Sequence, residues 1–84
     1  MTSDRDRFSL QAGMLASGMD YHDLWLRHIA VSGDASELEL EAYLLGLLRP
    51  DPFQYNLIAQ AINEHFVDQG QNHPVGYWDP ANTQ

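Results

Sequence analysis

Neither cysteine nor lysine occurs in this chain. Without cysteine there is no disulfide, no thiolate metal ligand and no thiol nucleophile, so nothing covalent reinforces a fold of only 84 residues. A chain of that length buries a smaller share of its surface than larger domains do, and packing or assembly has to supply its stability. Without lysine, the cations are Arg5, Arg7, Arg27 and Arg49, scattered among 12 acidic residues for a net charge of −8. Such a set gives no means of neutralising a run of phosphates, which argues against direct nucleic-acid binding. Long apolar runs are also missing. No stretch approaches the roughly 18 residues of a membrane span, and the first residues lack the basic-then-apolar order of a secretory signal. The sequence predicts a cytoplasmic protein with no membrane contact.

What is present is enough apolar material for a core. The hydrophobic fraction of 44% and the aromatic fraction of 11% are far above those of a disordered acidic chain. There is room for one domain and no second. No internal repeat and no low-complexity run is visible.

Helical spacing runs through most of the chain. Phe8, Ala12, Leu15 and Met19 recur at intervals of three and four, and Gly18 is placed to end this first helix. Asp20, followed by Asp23, caps a second helix that reaches about Ser32, with Tyr21, Leu24, Trp25, His28 and Ile29 on one face. Gly33 is expected to close it with a positive φ. Ser36 and Glu39 form the S-x-x-E capping box of a third helix, expected to continue to Arg49 and to stop at Pro50. Asp51, Pro52 and Gln54 signal a fourth start. In that helix Tyr55, Ile58, Ala59, Ile62 and Phe66 fill an arc of about 100 degrees, while Gln60, Asn63 and Glu64 are expected to face water. Beyond Gly70 the composition turns to Gln, Asn, Pro and Gly. The prediction is an all-α fold: a small bundle of three to four helices over residues 8–69, a flexible N-terminus over 1–7, and an irregular tail over 70–84. In the tail Val75, Tyr77 and Trp78 are apolar enough to pack on the helices or on a partner.

Chemistry-bearing residues are few and poorly spaced for catalysis. His22, Asp23, Glu64 and His65 are nitrogen and oxygen ligands in type, yet each sequential pair points about 100 degrees apart on a helix and gives no shared ligating face. His28, inside the apolar stripe of the second helix, reads as a core residue hydrogen-bonded to a backbone carbonyl. Ser17, Ser32 and Ser36 sit at helix boundaries, where a hydroxyl caps or turns the backbone. The segment Gly33-Asp34-Ala35-Ser36-Glu37-Leu38 resembles the prosthetic-group site of acyl carrier proteins, small acidic helical proteins in which a serine opens a helix. By that resemblance Ser36 would carry a phosphopantetheine, although Ala35 stands for the usual aspartate and Glu37 for the usual leucine. The acids Asp34, Glu37, Glu39 and Glu41 suit a helix N-terminus, where each stabilises the macrodipole by about 0.3–1 kcal/mol, and they form too sparse an array for a nucleic-acid mimic.

The sequence therefore predicts no catalytic residue, cofactor or metal. It predicts a small acidic protein–protein interaction module, a regulatory or accessory subunit binding a protein partner. A carrier or small enzyme using Ser36 or the histidines is the alternative, and a nucleic-acid mimic a minor one. The third helix, with Leu38, Leu40, Ala42, Tyr43, Leu44, Leu45, Leu47 and Leu48, is apolar nearly all round and predicts a homodimer or higher homo-oligomer. Leu40, Leu44, Leu47, Leu48, Tyr77 and Trp78 are the expected interaction residues. The competing expectation is that the tail folds over the same leucines as a lid.

Overall fold

Each helix start is fixed by one side chain that accepts the N–H three residues ahead. In the computed structural model, which describes residues 9–72 and 74–77, these caps open four α-helices: α1 (Leu10–Ser17), α2 (Tyr21–Ala30), α3 (Glu37–Leu44) and α4 (Pro52–Asp68). Ser9 accepts from Ala12, Asp20 from Asp23, Ser36 from Glu39 and Asp51 from Gln54, at 2.8–3.1 Å. Ser36 and Glu39 form the full reciprocal box, with the Ser36 N–H donating to Glu39 Oε1 at 2.8 Å. Pro52 occupies the first position of α4, where no N–H is needed. The fold is all-α, four helices packed together with no strand among the described residues.

The helix ends correct two expectations. α3 stops at Leu44, five residues short of Arg49, because Gly46 takes a left-handed φ of 80°. The Gly46 N–H then returns to the Tyr43 carbonyl at 3.2 Å and the Leu47 N–H to that of Ala42 at 2.9 Å, a Schellman closure. At the end of α2 the left-handed residue is Ser32, with φ 73°, and not Gly33. Gly33 is needed for space: a Cβ there would collide with the ring of His28.

α4 is the central element, packed against α1 and α2, and α3 closes the bundle against α2 and α1. Leu10, Met14, Leu24, Leu40, Leu44, Ile58, Ala59, Ala61, Ile62 and Phe66 are buried between them. Asn63, expected in water, is buried as well. Its amide nitrogen donates to the Val75 carbonyl and its oxygen accepts the Val75 N–H, both at 2.9 Å. Val75 is thereby drawn into the core beside Gly13 of α1, where a Cβ would meet its Cγ2 methyl. Val75 thus packs against α1 and α4.

Candidate interaction surface

The predicted interaction residues fall into separate places. Leu40 and Leu44 point inward and are buried by this chain's own helices. Leu47 and Leu48 lie past the end of α3 and are 75% and 50% exposed, with Leu45 beside them at 56%. Tyr77 lines a different groove, with Gln60, Asn63, Val67 and Asp68 of α4. Val75 and Tyr77 therefore do not cover the leucines. Trp78 lies outside the described residues.

The leucine turn is held firmly for so exposed a segment. The Ala42 carbonyl accepts the N–H groups of both Leu47 and Leu48, at 2.9 and 3.2 Å. Two amides on one acceptor fix the backbone between α3 and Pro50, and the leucine side chains stand out from it. Beside them is a cleft of ≈ 380 Å³ lined by Leu10, Tyr43, Leu47, Leu48, Pro50 and Tyr55. Burial pushes the Tyr55 hydroxyl's pKa up. The Tyr43 hydroxyl is pushed up by burial first, and then by the negative field of Glu39, Asp51 and Asp34. Negative charge from these carboxylates therefore reaches the Tyr43 side of the cleft. Arg49, which also lines the cleft, is exposed and makes no ion pair with a described residue.

Tyr43, Tyr55 and Arg49 were not among the predicted interaction residues. Helical spacing places Tyr55 in the core stripe of α4 and Tyr43 on an α3 that is apolar nearly all round, and the turn at Gly46 brings Arg49 and Pro50 beside them. Gly46 itself was the available signal, since a glycine inside an apolar run is a helix stop as readily as an interruption.

The remaining chemistry-bearing residues are engaged locally or dispersed. Ser36 Oγ serves as the cap of α3. His22 Nδ1 meets Glu37 Oε1 at 2.9 Å, and that hydrogen bond, with the carboxylate's charge, raises the imidazole pKa. Arg27 pairs with Asp68 at 2.9 Å, tying α2 to the end of α4. Among the described residues no group of three His, Asp or Glu side chains is placed to hold a metal ion. His28 is fully buried, and its Nε2 accepts the Ala35 N–H at 3.3 Å; the expected donation to a backbone carbonyl is not what the ring does. Among the described residues no helix is long and apolar enough to cross a membrane. No family model, curated protein or solved structure matches the chain.

Proposed function

We propose that this chain is a small acidic protein–protein interaction module, a regulatory or accessory subunit whose contact surface is the leucine turn after α3. The observation that carries the reading is the combination of exposure and fixed backbone at Leu47 and Leu48. A pre-organised apolar projection costs less ordering on binding than a mobile loop does, and the tyrosines and arginine beside it are residue types enriched at contact surfaces.

The same face favours a second copy of the chain as occupant. A two-fold contact uses one patch twice, so the patch needs an apolar centre and charges of both signs around it. Leu45, Leu47 and Leu48 supply the centre, and Arg49 together with the carboxylates that act on Tyr43, those of Glu39, Asp51 and Asp34, supplies the signs. Arg49 of one copy would then meet the carboxylates of the other.

Sedimentation of the purified protein at micromolar concentration, beside the double variant Leu47→Asp/Leu48→Asp, tests this. A dimer that becomes a monomer with unchanged helical circular dichroism is the expected result. A monomer at all concentrations would remove the second copy as occupant. If partner capture by the tagged protein were also indifferent to the double substitution, the leucine turn would not be a contact surface at all.

A further inference from the structure

The α2–α3 connection is organised around one imidazole. His28 lies fully buried on α2, and the loop wraps it: Gly33 packs flat on the ring, and Ala35 donates its N–H to Nε2. The Ala35 carbonyl is also held by α2, accepting from Trp25 Nε1 at 3.1 Å. Both polar groups of one buried loop residue are therefore satisfied by two side chains of the preceding helix. An Nε2 that accepts carries no proton, so the proton of the neutral ring is on Nδ1, which has no hydrogen-bond partner among the described residues.

This arrangement tolerates only the neutral ring. A second proton would place an Nε2–H donor against the Ala35 N–H donor and a full charge in a buried site, with no acceptor on either ring nitrogen. We infer that His28 and the α2–α3 loop form an acid-sensitive latch: protonation of the ring removes the acceptor of the Ala35 amide and releases the loop from α2. The released segment includes Ser36, the cap of α3, and so loosens the helix that leads into the leucine turn.

Charges around the ring do not rescue the protonated form. Burial lowers the His28 pKa below 6.5, and the opposing influence among the described residues is Asp34 on the loop, whose carboxylate accepts from Gln54 at 2.7 Å. On α3, Glu37 is taken by His22, and on α4, Asp68 is taken by Arg27. Glu39 and Glu41 of α3 and Glu64 and His65 of α4 are not among the groups that shift the ring. The sign follows from linkage. An unfolded imidazole with pKa 6.5 binds protons that the folded ring refuses, so stability is full above pH 6.5 and falls as pH drops towards the folded pKa.

The test is an NMR titration of the whole protein from about pH 7.5 to about pH 5, following the His28 ring carbons, the Ala35 amide and the Trp25 indole N–H. Urea unfolding across the same range is compared with that of His28→Gln, whose side-chain oxygen reaches the place of Nε2 and accepts without titrating. In the wild type the Ala35 and Trp25 N–H groups should lose exchange protection in one step, below pH 6.5, as the ring protonates. The folding constant should fall by up to about tenfold per pH unit in the wild type relative to the variant. His22 contributes equally to both proteins and cancels. A ring that titrates at or above pH 6.5 while Ala35 stays protected would overturn the latch, as would an identical pH slope in His28→Gln. Should that variant fail to fold, the wild-type titration decides by itself.

Discussion

Asn63 holds the backbone of Val75 as a neighbouring strand would, with one donated and one accepted hydrogen bond of 2.9 Å each. Both groups are buried, so removing the amide leaves a peptide N–H and a peptide carbonyl without partners. Asn63→Leu should therefore destabilise the protein by about 2–4 kcal/mol despite adding apolar volume. Gly13→Ala attacks the same contact from α1, because its Cβ would displace the Val75 methyl. Urea denaturation of the two single variants and the double variant checks the relationship: non-additive losses are expected, since either change alone unseats the tail.

The end of α2 separates two reasons for glycine. Ser32 bears the left-handed conformation, φ 73°, that favours glycine, and Ser32→Gly should raise stability by about 0.5–1 kcal/mol. Gly33→Ala should lower it by about 1–3 kcal/mol, because the new methyl overlaps the His28 ring. Thermal melts of the two variants should move in opposite directions, and a loss of stability in Ser32→Gly would contradict the assignment of strain to that residue.

The helix boundaries also show what was legible in the sequence. Asp20, Ser36 with Glu39, and Asp51 with Pro52 were readable because a cap acts three residues away, within the span that the sequence itself displays. The same locality made Gly18 readable as the end of α1. Asn63 was misplaced because its partner is 12 residues distant and reached only after the chain reverses at Gly70. Gly33 was assigned to a backbone need when its reason is a ring on another turn of the chain. The candidate surface was half legible. The surplus of leucine was plain, but an apolar run does not reveal which leucines fill the core until Gly46 divides Leu40 and Leu44 from Leu47 and Leu48.

His22 responds to pH in the opposite sense from His28. Its hydrogen bond and attraction to Glu37 raise the folded pKa above 6.5, so the stabilisation is fully present below pH 6.5 and is lost as pH rises through the raised value. Both partners are exposed, so salt should weaken the effect. In Glu37→Gln the NMR-detected pKa of His22 should fall back towards 6.5, and in wild type the same fall should appear on adding salt. A His22 pKa indifferent to both changes would remove this tie between α2 and α3.

Leucines on either side of Gly46 should differ sharply in what they contribute to folding. Leu44 is 5% exposed and packed in the core, so Leu44→Ala removes buried methyl groups and leaves a cavity, at a cost of about 2–5 kcal/mol. Leu47, three residues beyond the helix, stands three-quarters in water, and its fixed position comes from its backbone N–H, which any non-proline residue supplies. Leu47→Ala should change the stability of the monomer by no more than about 0.5 kcal/mol. If the turn is a dimer contact, the two variants also part in concentration dependence. Melting of the wild type and of Leu44→Ala should rise with protein concentration, whereas Leu47→Ala should lose part of that dependence while keeping its dilute-limit stability. Melting curves over a hundredfold range of concentration check both effects at once. A large loss in Leu47→Ala at high dilution would make this leucine part of the core and take away the anchor on which the contact surface rests.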